Sequence, residues 1–195
     1  MNLEAMAVML PPVEGHPNRV PFEGVLTTVN TPSDRAPTGA RGHRVLLTRE
    51  AAECAIPSLL GMAIDYRPAW DGHDNRCKIG LVTEATLSGN NLLVRGYLYA
   101  RDFPDVAQAI HAHAPHALGM SYEIADARVE NLHTEIWKLT HVTFTGAAIL
   151  LRDKAAYRGT SFRMAERQPT VVSHQTSAFG HQLSGASSQL VAGSS

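Results

Sequence analysis

Cysteine is scarce: Cys54 and Cys77 are the only two among 195 residues. That excludes a disulfide-stapled scaffold and suits a reducing compartment. Concentrated positive charge is also missing. No two Lys or Arg residues are adjacent, and 17 of them against 18 Asp and Glu leave a net charge of -1. Proteins that live on nucleic acid carry a basic stripe, so no nucleic-acid partner is expected. Long apolar runs are absent too, none approaching the roughly 18 residues of a membrane span. The short apolar run in residues 1–12 carries Glu4 and no basic leader, unlike a signal peptide. A soluble, intracellular protein without membrane association is expected.

What remains is enough for one core, since 44% of the chain is hydrophobic. A three-part division follows: a Pro-rich arm over residues 1–19, one folded domain over 20–160, and a tail over 161–195. From Gln168 to Ser195 the tail has no Asp, Glu, Lys or Arg, and Ser, Gln, Gly and Ala dominate. Such a segment buries too little apolar surface to offset the entropy of ordering, which predicts flexibility.

Within the domain, strand patterns occur over residues 20–29, 64–70 (a strand or an extended loop), 77–87 and 92–100. The third and fourth flank Ser88-Gly89-Asn90-Asn91 and predict a hairpin. Thr48 can cap a helix over residues 49–60, which Pro57 kinks or ends early. Asp102 stands three residues before Asp105, a capping arrangement for a helix over 103–114 with Pro104 in its first turn and Pro115 as its stop. Residues 117–129 and 133–145 read as paired strands about Asn131, whose residue type suits a positive φ. After Gly146 the pattern weakens, and a short helix ending near Tyr157 is expected.

That last hairpin juxtaposes chemistry. With its turn centred on Asn131, Ser121 and His141 lie directly opposite one another, on one face and within about 5.5 Å between Cβ atoms. A nucleophilic serine needs a base, and the base needs a third group to orient it. His141 fits either role, and so does His73 in the turn Asp71-Gly72-His73-Asp74.

The order of motifs narrows the choice. Gly72-His73-Asp74 precedes Ile79-Gly80-Leu81-Val82, then come Gly119-Met120-Ser121-Tyr122 and His141-Val142-Thr143-Phe144. This succession, over residues 21–157, resembles the phage prohead proteases and herpesvirus assemblins, a superfamily of serine peptidases. The resemblance implies an α+β fold: a small, mainly antiparallel β-barrel surrounded by a few helices. It implies a Ser-His-His triad in which Ser121 attacks, His73 is the base and His141 supports it. Many phage members have an acidic residue where His141 stands, so the chain follows the herpesvirus pattern there. Lys138 offers a Ser-Lys variant. Arg152 stands a few residues later than the arginine pair with which herpesvirus members hold the oxyanion.

The resemblance further implies no cofactor or metal, and capsid scaffold and major coat proteins as substrates. The place of action would be the host cytoplasm, inside the assembling prohead, and the herpesvirus members act as homodimers. Self-cleavage between Ala186 and Ser187 is expected, because Leu183-Ser184-Gly185-Ala186-Ser187 resembles the Ala-Ser bond preferred by the herpesvirus branch. Ala192-Gly193 is the second candidate. Two rivals stand beside this reading. One is an assembly protein of the same fold without catalysis. The other is a metallohydrolase built on His111, His113 and His116, although His111 and His113 point some 200° apart on a helix.

Overall fold

A computed structural model describes residues 16–114 and 116–165. Its strands are β1 (Arg19–Thr28), β2 (Arg44–Leu47), β3 (Ala63–Tyr66), β4 (Lys78–Ser88), β5 (Asn91–Tyr99), β6 (Leu118–Val129), β7 (Ile136–Leu151) and β8 (Ser161–Met164). Two short helices accompany them, α1 (Arg49–Ala55) and α2 (Pro104–Ala112). Period-2 patterning builds the sheet. In β1, Val20, Phe22 and Leu26 are buried while Pro21 faces solvent. The hairpin β4–β5 turns through Gly89 at φ 56, and Ser88 pairs with Asn91 as the sequence predicts.

The strands join in one sheet in the order β2-β7-β3-β4-β5-β1-β8, with β6 on the remaining edge of β7. Five of the seven strand pairings are antiparallel; β2–β7 and β3–β7 are parallel. The sheet curls until β1 packs on β6: a Cβ placed on Gly24 would stand 2.6 Å from Met120 Sδ. Among the described residues no ladder joins β6 to β1 or β8, so the result is a half-barrel. This is the expected β-rich α+β class. Leu26, Leu47, Leu59, Ile64, Met120 and Ile149 fill its interior. Ala148, Leu150 and Ala155 form a second, smaller cluster on the other face of β7.

Local expectations meet the structure unevenly. Thr48 caps α1 by accepting from Ala51 N at 3.1 Å, and Pro57 converts the end of that segment into a 3-10 turn, Ile56–Leu59. Asp102 does not cap α2; Phe103 holds the cap position, and Asp102 accepts from Asn18 Nδ2 at 2.7 Å. Residues after Gly146 continue β7 to Leu151 in place of a helix, because β3 offers them a partner. Residues 161–164, assigned to the tail, pair as β8 with β1, which extends the folded part beyond 160. Residues 1–15 of the arm, Pro115, Ala186, Ser187 and the rest of the tail past 165 lie outside the described residues, while the end of the arm joins the fold, since Arg19 opens β1.

The largest departure is the β6–β7 turn. It spans six residues, 130–135, instead of centring on Asn131. Asn131 does not take a positive φ; its side chain accepts from His133 N at 2.9 Å, which builds a wider turn. The register therefore slides by seven residues. Ser121 pairs with Ala148, and His141 pairs with Arg128.

Candidate active site

One row of residues crosses four strands. Ala148 of β7 is in register with Ser121 of β6 on one side and with Asp65 of β3 on the other, and Asp65 is in register with Lys78 of β4. Register partners share a face. With strands about 4.8 Å apart, Asp65 and Ser121 stand roughly 10 Å from each other, with only the methyl of Ala148 between them. That interval accommodates an imidazole.

His73 supplies it. Residues 67–77 leave β3 and return in β4, and several contacts hold them against the end of β7. Trp70 N donates to Arg67 O at 2.7 Å, and Leu151 N donates to Trp70 O at 2.8 Å. The Trp70 ring packs against Tyr66 and against the edge of His113, at centroid distances of 5.3 and 5.2 Å. Trp70 itself adopts φ 53, a costly conformation for a bulky residue. Asp74 N donates to Asp65 Oδ1 at 3.3 Å, and the Asp74 carboxylate receives three bonds from Arg76, two from the guanidinium at 3.0 Å and one from the backbone N at 3.1 Å. Those bonds hold the Asp74 carboxyl down to about 2. The turn is thereby fastened at both ends of its histidine.

The ring is largely covered, its side chain 16% exposed, with Nδ1 3.4 Å from Asp65 Oδ1 and 3.9 Å from Glu123 Oε1. Neither ring nitrogen has an aligned hydrogen bond. Such bonds are often long in ligand-free sites and tighten when substrate arrives. Asp65 is fully buried and receives Lys78 Nζ at 2.9 Å. Burial pushes its carboxyl up, but the adjoining His73 and Lys78 outweigh burial and hold it below the ordinary aspartate value. Asp65 is therefore ionised where it meets the ring.

His141 is elsewhere. It is exposed, and seven residues of β7 separate it from Ser121's partner Ala148, about 23 Å at strand rise. The expected opposition of Ser121 and His141 is corrected: the six-residue turn and the bulges of β6 set a different register. Lys138 lies farther along the same strand and pairs with Glu130 at 3.1 Å. Arg152 follows β7 on the Ser121 side. A Cβ on Gly119 would stand 3.2 Å from Arg152 Cα, so glycine there lets the chain cross close to β6. Of the three histidines near α2, His113 packs on Trp70, and no three metal-binding side chains gather among the described residues.

Asp65, Glu123, Ala148 and Gly146 were missed by sequence reasoning. Two signals pointed to them: a single carboxylate inside the apolar strand Ala63-Ile64-Asp65-Tyr66, and the small-residue run Gly146-Ala147-Ala148. The surrounding groove has a volume of about 1140 Å³ and is lined by Ser121, His73, Glu123, Arg67, Arg41 and Lys154 among others.

No family model and no curated protein matches the chain. Among solved structures its fold is similar to that of the bacteriophage T4 capsid assembly protease, gp21, at 12% identity and a TM-score of 0.46, covering 65% of this chain and 80% of that one. It is also similar to the KSHV protease in complex with a hexapeptide phosphonate inhibitor. There the identity is 11% and the TM-score 0.43, covering 76% of this chain and 66% of that one.

Proposed function

We propose that the chain is a serine endopeptidase that processes scaffold or coat proteins inside an assembling prohead, with Ser121 as nucleophile, His73 as base and Asp65 as the group that orients the base. The observation that carries this reading is the row Asp65, Ala148, Ser121, with His73 Nδ1 3.4 Å from Asp65 and His73 and Ser121 lining one groove. The capsid setting rests on the succession of motifs around His73, Ser121 and His141 in the sequence.

The chemistry follows from the order of groups. Ser121 Oγ attacks the scissile carbonyl while its proton passes to His73 Nε2, and the ionised Asp65 stabilises the imidazolium that forms. The tetrahedral intermediate collapses as Nε2 returns the proton to the leaving amine. Water then repeats the sequence to release the acyl group. Among the described residues β6 hydrogen-bonds only to β7, so its other edge is available to an extended peptide. Arg152 is the cation we assign to the oxyanion, and the uncharged tail, cut between Ala186 and Ser187, is the self-substrate.

A serine-directed peptidyl phosphonate tests this directly. We expect one covalent adduct by intact mass, mapped to Ser121 and absent from Ser121→Ala. A native protein that stays unlabelled while co-expressed scaffold and coat proteins stay intact would indicate an assembly protein without catalysis.

A further inference from the structure

The proposed triad uses one carboxylate, yet two approach His73. Glu123 stands two residues beyond Ser121 on the same face of β6, opposite Gly146 of β7. A Cβ on Gly146 would lie 2.8 Å from Glu123 Oε2. The missing side chain therefore opens a trough across β7, next to the one that Ala148 leaves. Glu123 lies in it and brings Oε1 to 3.9 Å from His73 Nδ1.

Asp65 does not saturate the ring. Its Oδ1 also accepts from Asp74 N at 3.3 Å, and its Oδ2 receives Lys78 Nζ at 2.9 Å. The other charged groups around His73 are committed elsewhere: Asp74 to Arg76, and Asp71 to Arg67 at 3.6 Å. Glu123 makes no ion pair with Lys or Arg among the described residues. Its charge is free for the imidazole.

We propose that Glu123 is a positioning residue for His73: lying over Gly146, it shares Nδ1 with Asp65, and the two carboxylates together hold the ring against Ala148. This rests on His73 being the base of a serine peptidase. Two negative charges favour the imidazolium more than one, and a ring gripped from β3 and β6 cannot swing away from Ser121. A peptide laid beside Ser121 also covers Glu123, which strengthens the attraction as water leaves.

The test uses the full chain and two readouts. In proton–nitrogen NMR, Glu123→Gln should lower the midpoint of the His73 ring titration relative to native by about 0.2–0.7 pH units, the size of a partly exposed ion pair. Gly146→Ala should shift it in the same direction by crowding Glu123, and should add nothing in a Glu123→Ala background. In peptide cleavage, Glu123→Gln should lower kcat about 2–5-fold with KM unchanged, and Glu123→Asp should recover part of the loss. A titration and a kcat that both match native in Glu123→Gln would overturn the proposal. A shifted titration in a protein whose native form cleaves nothing would support the Glu123–His73 contact and sink the peptidase reading instead.

Discussion

The two halves of the β6–β7 pair differ sharply. From Leu118 to Glu123, β6 runs against Leu151 to Gly146 in unbroken register, and β3 covers the far side of that stretch of β7. From Ile124 to Val129 the register shifts at three points, Asp126 takes φ 52, and the four-residue β2 is the neighbour beyond β7. The regular half holds Ser121, Glu123, Ala148 and, through β3, Asp65. The bulged half holds His141, Lys138 and Arg128, largely in solvent. Chemistry that depends on sub-ångström placement needs the regular half, where neighbouring strands fix each side chain. Both halves carry serine-peptidase residue types; only one supplies a buried carboxylate beside a covered imidazole.

Exchanging the loss between the halves breaks this comparison most directly. Ser121→Ala and His73→Ala should each reduce peptide cleavage on the order of 10⁴–10⁶-fold with circular dichroism unchanged. His141→Ala and Lys138→Ala, on the bulged half, should stay within about twofold of native. A His141→Ala protein as inactive as His73→Ala would move the site to the distal half.

Asp65→Asn sharpens the contrast between the two candidates for the third group. It keeps the shape but presents a neutral amide to the ring, and should cost about 10²–10⁴ in kcat. If Asp65→Asn cleaves as fast as native, Asp65 only serves the fold.

Ala148→Leu probes the interval itself. A larger side chain at this fully buried position should cost about 1–3 kcal/mol of stability by overpacking. It should cost about tenfold or more in cleavage, because the ring is displaced from the row. Thermal unfolding and kcat measured on one preparation separate the two effects, and equal cleavage with reduced Tm would show that the row does not set the geometry.

The local elements were legible in sequence because neighbouring residues specify them. Thr48 and Pro57 bound α1, Gly89 turns β4 into β5, and alternation marks β1. Ser121 and His73, the proposed nucleophile and base, stand out in sequence as residue types in motif order. Asp65, the proposed third group, does not, because its place depends on a parallel pairing of β3 with β7, two strands separated by more than 60 residues. Nothing local in Ala63-Ile64-Asp65-Tyr66 names that partner. The register of β6 on β7 failed for a related reason: a one-residue change in a turn alters every pair beyond it, and the bulges of β6 compound the shift. Residues 161–164 read as tail because β8 is short and finds its partner, β1, at the other end of the domain.

The smallest effect concerns acid, and it compares the buried carboxylate of the regular half with one paired to a solvent-exposed arginine. Burial raises the Asp65 carboxyl, and His73 and Lys78 more than reverse that, so its folded value lies below the 3.8 of the unfolded chain. The folded state thus binds this proton less readily than the unfolded state. Its contribution to stability is fully present above pH 3.8 and is lost as pH falls through the lower folded value. Asp74, held down to about 2 by Arg76, loses its own contribution between pH 3.8 and about 2, but its partner Arg76 stands in solvent, where salt screens the pair. Chemical denaturation of native, Asp65→Asn and Asp74→Asn proteins between pH 5 and pH 2 resolves the two. The native-minus-Asp65→Asn difference should shrink as pH falls below 3.8 and hardly change with added salt. The native-minus-Asp74→Asn difference should shrink over the same window and be reduced by salt at every pH. An Asp65→Asn difference that is flat down to pH 2, or that grows as pH falls, would mean that Asp65 is not held ionised against burial, and the orienting role assigned to it would fall with that charge.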